Sequence, residues 1–250
     1  MENLLRCLAS RYTEILKGNL VGFYLHGSYA MSGFDPSKSD LDFLLVCETE
    51  PNAAAKKCIL DATFSYMLVG PAKGLEMHVV LSEDVLNPTY PPRFVLHASP
   101  AHTRNYLLDP GGYVSRMKGT DDDLTAHFAV VYERGLAVMG PDVKALFHPV
   151  PRKAYLESIA GDFAWNAEDC EYHVLNRCRT AAYLAEGKIL SKTEGAEWAL
   201  SHLPSEDRPV ILAALEAGKS GRPLSSPEKA RAFCRKIEKQ VWEILRETAD

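Results

Sequence analysis

An α/β sheet unit followed by an all-α helical bundle is the architecture this sequence predicts, and three observations carry it. The runs LVGFYLHG, LDFLLV and LEMHVVL are apolar or alternating and are bounded by Gly, Ser, Pro or Lys, as half-buried or central strands are. A helical stretch, AAAKKCILDATFSYM, separates the second from the third, so strands and helices alternate as they do in a sheet built with crossovers. From about Asp121 onward the chain reads as helix, with start signals recurring along the last hundred residues.

Taken in order, MENLLRCLASRYTEIL is an amphipathic helix. It has no basic segment ahead of an apolar one, and nowhere does an apolar run approach the roughly 18 residues of a membrane span. A cytoplasmic protein without membrane partners is expected. PTYPPR interrupts the alternating pattern, because prolines neither donate to a strand ladder nor continue a helix. In DDDLTAHFAVVYERGLAVMG the apolar residues fall at helical spacing to a terminal Gly, and the Asp run at the start reads as a helix N-terminus favoured by the dipole. GPDVKALFHPVPR, with Pro141, Pro149 and Pro151, is the expected hinge. It divides the chain into residues 1–152 and 153–250. Beyond it, Ser191-Lys192-Thr193-Glu194 and Ser225-Ser226-Pro227-Glu228 both fit a capping box.

With 250 residues the chain is long enough for two modest domains. Its 46% hydrophobic and 24% charged content is that of a folded globular protein, without internal repeats. The formal net charge of -5 speaks against a phosphate-backbone binder, so nucleic acid is not the expected partner. Cys7, Cys47, Cys58, Cys170, Cys178 and Cys234 form neither a C-x-x-C pair nor a zinc-type spacing, and read as reduced, mostly packing thiols.

The chemistry concentrates in GSYAMSGFDPSKSDLDFLLV. A strand ends near Gly27 and a turn or short helix begins near Ser28, which offers backbone N–H groups and a hydroxyl to an anion such as a triphosphate. Asp40 and Asp42, two apart, point to one face of an extended chain while Leu41 and Phe43 point to the other. Such a carboxylate pair repels itself unless a cation sits between, and Mg²⁺ is usually held by one or two carboxylates together with substrate phosphates. Glu76 shares a strand face with His78 and Val80; if that strand neighbours LDFLLV, Glu76 lands beside the Asp pair. There it can complete the metal site or deprotonate an attacking hydroxyl. A lone D-x-D is usually a polar strand entrance. Joined to Gly27-Ser28, to Ser39 and to Glu76, the set points to nucleotide chemistry.

At these residues the chain resembles the nucleotidyltransferase superfamily related to DNA polymerase β, whose signature is Gly-Ser, a spacer, Asp-x-Asp and a third carboxylate on a later strand. More narrowly it is similar to the aminoglycoside adenylyltransferases that modify streptomycin and spectinomycin. YLHGSYAMSGFDPSKSDLDFLLV carries the signature and GLEMHVV the strand of the base. LNRCRTAAYLAEGKILSKTEGAEWALSHLPSEDRPVILAAL is similar to the family's helical segment. The resemblance implies a polymerase-β-like mixed sheet with flanking helices, then the helical bundle. It implies transfer of AMP from ATP to an antibiotic hydroxyl with Mg²⁺ on Asp40 and Asp42, Gly27, Ser28 and Ser39 around the phosphates, and Glu76 as base. Arg179 and Lys192 are then expected to reach the ATP phosphates.

Two departures bear on the acceptor. Ala101 falls where streptomycin-accepting members carry an aromatic, and Trp165 where they carry an acid, while Asp169 matches an acidic position able to take a substrate ammonium. With Glu76, Glu168 and Glu171 it makes an acidic lining for a cationic drug. Spectinomycin, at its 9-hydroxyl, is thus the expected acceptor rather than streptomycin, with antibiotic resistance as the outcome and a monomer as the acting form. Gly218 stands near the position of a further aromatic expected at the base. The alternatives are the same transfer to another small-molecule or protein hydroxyl, and a nucleotide-binding regulatory protein without turnover.

Overall fold

The computed structural model describes residues 1–248. It divides into two compact units, Met1–Val150 and Pro151–Asp250. The first opens with α1 (Glu2–Leu16), β1 (Leu20–Leu25), α2 (Gly27–Ala30), β2 (Leu41–Cys47), α3 (Ala53–Met67) and β3 (Leu75–Leu81). It continues through α4 (Ser82–Leu86), β4 (Arg93–Phe94), β5 (Leu96–Ala98), α5 (Thr103–Leu108), α6 (Pro110–Arg116) and β6 (Gly119–Thr120). It closes with α7 (Asp122–Arg134), β7 (Leu136–Met139) and α8 (Val143–Leu146).

The principal sheet is mixed, in the order β5-β3-β2-β1-β7. β2 and β3 are parallel, joined by α3, and the other pairings are antiparallel. Alternation along β2 splits its side chains between two layers. Phe43 and Leu45 pack with Tyr12 of α1 and Ile59 of α3, whereas Leu44 and Val46 pack with Phe128 of α7 and Phe147. Both layers are aromatic-rich: Phe23 and Phe43 lie 5.0 Å apart between ring centroids and Tyr24 and Phe147 5.1 Å. A fully buried ring of this kind contributes about 2–3 kcal/mol.

One expected helix is shorter than its sequence suggested. DDDLTAHFAVVYERGLAVMG is helical only to Arg134, and LAVM leaves it as β7, paired with β1. The break is at Gly135: a Cβ there would lie 2.4 Å from the carbonyl oxygen of Val131. Leu-Ala-Val-Met then covers the open edge of β1, which outweighs its helical periodicity. The Asp run does cap the helix, with Asp121 accepting from the amide of Asp123.

The second unit is helical: α9 (Arg152–Gly161), α10 (Cys170–Glu186), α11 (Lys192–His202), α12 (Arg208–Ser220) and α13 (Pro227–Glu247). Val174, Cys178, Ala196, Ala214 and Phe233 fill its core. Ser191 and Glu194 form the reciprocal capping box at α11. The box at Ser225–Glu228 does not form, because Pro227 occupies the first helical position and makes Ser226 the cap, which leaves Glu228 one residue short of reaching back. Cys47, Cys170, Cys178 and Cys234 are buried and Cys7 and Cys58 exposed, all as free thiols. No helix among the described residues is long and apolar enough to cross a membrane.

Candidate active site

The backbone register of the sheet creates the site. In the parallel pairing of β2 with β3, Asp42 stands opposite Glu76 and Leu44 opposite His78. In the antiparallel pairing of β3 with β5, His78 stands opposite His97. One sheet face therefore carries a row with Asp42 and Glu76 and, beside it, a row of Leu44, His78 and His97. Asp40 lies just before β2, and carboxylate oxygens of Asp40, Asp42 and Glu76 all lie within 4.8 Å of one another.

The turn after β1 is built around the same carboxylates. The amide of His26 donates to the carbonyl of Asp42, 3.0 Å, which ties the end of β1 to the start of β2. Gly27 has φ +59°, and a Cβ there would fall 1.8 Å from Asp42 Oδ2. A glycine is required both by the conformation and by this close approach. Ser28 Oγ is buried with no hydrogen-bond partner, so a polar group at this turn has an acceptor and a donor waiting for it. Ser39 steadies the loop before the pair: its hydroxyl accepts from the Asp35 amide, 3.1 Å, and its carbonyl from Lys73, 3.2 Å.

Glu76 is about one-third exposed, with His97 Nε2 3.7 Å from its Oε1. The His97 imidazole, aided by His127 and His78 and opposed by burial, holds the Glu76 carboxyl below its usual range. Behind it runs a chain of imidazole contacts through His102, His97, His78, His127 and His26. Burial first, with Asp121 opposing, lowers His78 to about 4. Burial also lowers His26, with His127 and His78 adding to the effect. Asp121, 3.3 Å from His78, is drawn down to about 2 chiefly by that imidazole.

A cavity of about 610 Å³ opens beside the carboxylates. Asp40 and Glu76 supply its acidic side, Phe64, Met67, Pro100 and Ala101 its apolar side, and Lys73 a cation. Ala101 is thus at the carboxylates.

The remaining expected residues belong to the helical unit. Arg179 on α10 donates from Nε to the Leu190 carbonyl, 2.7 Å, and lies against Gly195, where a Cβ would meet its Cγ at 2.8 Å. Lys192, the first residue of α11, holds its Nζ 4.4 Å from the centre of the Tyr172 ring. Asp169 is exposed and accepts from Asn166 Nδ2, 2.6 Å. Trp165 is half-buried, stacked on His173 at 5.1 Å with Arg231 over its ring.

Residues 145–241 match the family model described as the aminoglycoside adenylyltransferase C-terminal domain. A Klebsiella pneumoniae aminoglycoside (3'') (9) adenylyltransferase is 24% identical over 242 residues, covering 92% of this chain and 90% of its own. A Campylobacter jejuni spectinomycin 9-adenylyltransferase is 24% identical over 245 residues, 93% of this chain and 92% of its own. The chain is thus similar to the aminoglycoside nucleotidyltransferases. The fold agrees: the crystal structure of an Enterococcus faecalis spectinomycin adenyltransferase with ATP and spectinomycin superposes with a TM-score of 0.77 at 20% identity, over 97% of this chain and 99% of the other.

Sequence reasoning grouped Glu76 with His78 but missed His97, His102 and His127. Their signal was present as histidines in the runs LHASPAH and LTAHF, yet nothing local tells that β5 and α7 bring those runs to the Glu76 strand. The apolar side of the cavity was missed for the same reason, since Phe64 and Met67 come from α3 and Pro100 from the turn after β5.

Proposed function

We propose that this protein transfers AMP from ATP to a hydroxyl of an aminocyclitol antibiotic, spectinomycin at its 9-hydroxyl rather than streptomycin, and so confers resistance. The observation that carries the reading is the meeting of Asp40, Asp42 and Glu76 at one point, beside a glycine turn and an unmatched serine hydroxyl. The names of the relatives support it.

An all-oxygen set of three carboxylates fits Mg²⁺, which prefers oxygen ligands and takes the remainder from phosphates and water. Asp40 and Asp42 would hold it. Bound there, it would neutralise charge on the phosphates of ATP. Gly27, Ser28 and Ser39 line the phosphate side of the reading, with the Ser28 hydroxyl donating to a phosphate oxygen. Arg179 and Lys192 belong to the phosphates as well, on the resemblance to the family.

Glu76 is the base. Kept ionised, it accepts the proton of the acceptor hydroxyl as that oxygen bonds to the α-phosphorus. The bond from the α-phosphorus to the bridging oxygen breaks, and pyrophosphate carries its electron pair away. The apolar wall of Phe64, Met67, Pro100 and Ala101 receives the ring of the acceptor. Asp169 offers a carboxylate to an ammonium of the drug. Ala101 and Trp165, standing where streptomycin-accepting members carry an aromatic and an acid, disfavour streptomycin. The protein acts in the cytoplasm, as a monomer.

The test is incubation with ATP, Mg²⁺ and either drug in parallel, with the products weighed by mass spectrometry. Spectinomycin is expected to gain the mass of one adenylyl group and streptomycin to be returned unchanged. Adenylylated streptomycin, or no adduct with either drug, contradicts the reading.

A further inference from the structure

The histidine row beside the carboxylates holds ligand atoms for which the transfer reaction has no use. His78 and His97 are cross-strand partners whose rings lie 3.9 Å apart at 17°. Their side chains are 1% and 14% exposed, and Nε2 of each is buried without a hydrogen-bond partner. A buried polar nitrogen left unmatched is destabilising, so such an atom asks for an explanation.

The distances supply one. His97 Nε2 stands 3.7 Å from Glu76 Oε1, and His78 Nε2 3.3 Å from Asp121 Oδ2. Two donors on a tetrahedral zinc ion, each about 2.0–2.2 Å from the metal, are roughly 3.3–3.6 Å apart. The Glu76–His97 pair already stands near that edge length, and ligand atoms of Glu76, His78 and His97 all lie within 4.8 Å of one another.

We propose that Glu76, His78 and His97 bind a transition-metal dication of the zinc class, with solvent as the remaining ligand, and that its binding inhibits the enzyme. Two imidazoles and a carboxylate make a mixed nitrogen and oxygen set suited to Zn²⁺, whereas Mg²⁺ takes oxygen ligands in octahedral geometry. The site therefore differs in kind from the Asp40, Asp42 and Glu76 group and shares only Glu76 with it. An ion on Glu76 occupies the lone pairs that would accept the proton; that consequence, though not the binding, rests on the reading of Glu76 as base. The two rings are nearly parallel, so one must turn about its Cβ–Cγ bond to aim both lone pairs at one ion. His97, on the edge strand and the less buried of the two, has the room, and this torsion in histidine is soft.

Cobalt(II) is the probe, titrated into the full chain without ATP or Mg²⁺. One equivalent is expected to develop the visible ligand-field bands of a four-coordinate site, and Zn²⁺ to displace them. H97Q should lose the bands and weaken zinc binding by at least the roughly tenfold to hundredfold that even outer-shell losses cost, while D40N keeps both. H78Q should behave as H97Q does; because His78 is so buried, H97Q, checked for folding by circular dichroism, decides if H78Q does not fold. In the AMP-transfer assay, Zn²⁺ should inhibit the wild type and a zinc-selective chelator restore it. Absence of bands in the wild type, bands kept in H97Q, or bands lost in D40N overturns the proposal. Cobalt binding without AMP transfer to any acceptor would leave this site standing and remove the proposed reaction, and the converse would do the opposite.

Discussion

The sheet unit and the helical unit hold their charged groups by different means. Asp42 and Glu76 are set by backbone register, one opposite the other in a parallel ladder, with Gly27 pressed against Asp42. Arg179 and Lys192 are set by side-chain contacts, among them the bonds of Arg179 to the Leu190 carbonyl and to Asn176 Oδ1 and the place of Lys192 over the Tyr172 ring. Groups placed by a ladder cannot shift without breaking it, whereas long cationic chains on helices re-aim at the cost of rotamer entropy alone. The sheet unit should therefore tolerate change poorly at its site, and the helical unit should yield by degrees.

The largest effect outside the carboxylates is expected at Gly27. In G27A the added methyl group must displace Asp42 or the turn, and a displacement of about 1 Å near the chemistry costs on the order of a hundredfold in rate. Steady-state kcat for AMP transfer checks it; a rate within a factor of two of wild type would break the view that the turn is fitted to the carboxylate.

Acid sensitivity should also divide the two units. His78 and His26 are neutral in the fold because burial lowers their pKa, to about 4 for His78. The unfolded chain, with histidines near 6.5, binds more protons below that pH, so their contribution is present above about 6.5 and lost as pH falls toward 4. For His78 alone the loss approaches about 3 kcal/mol. Asp121, whose lowered pKa is also a folded-state property, adds a further loss between 3.8 and about 2. Urea midpoints measured from pH 7 to pH 4 should fall, and H78Q should flatten the slope.

Smaller effects are expected from the helical unit. R179A or K192A should raise the KM for ATP roughly tenfold, the scale of one charge-assisted hydrogen bond. They should leave kcat changed far less than G27A does. Equal effects on kcat from G27A and R179A would erase the distinction between the two units.

Much of the sheet unit was legible because local patterns and long-range geometry agree there. The alternation in LDFLLV and LEMHVVL marks two strands, and their parallel pairing with α3 between them follows from the crossover. β7 was not legible, because LAVM continues the helical period of the residues before it and becomes a strand only by pairing with β1. His97 was hidden for a similar reason: its place beside Glu76 depends on β5, a strand of three residues with no pattern of its own. In the helical unit, the Ser191 cap could be read from four residues, while roles for Arg179, Lys192, Trp165 and Asp169 came only from resemblance. Nothing in their spacing along helices and turns specifies a ligand.

On the proposed function, three carboxylates brought together by strand register carry out the transfer, with Glu76 as the proton acceptor. E76Q keeps the shape of the side chain and removes the base. Measured side by side with wild type, using ATP, Mg²⁺ and spectinomycin, E76Q should bind ATP with unchanged affinity and form the adenylyl adduct slower by at least the roughly hundredfold that loss of a general base costs. A near-normal rate in E76Q would remove Glu76 from the role of proton acceptor.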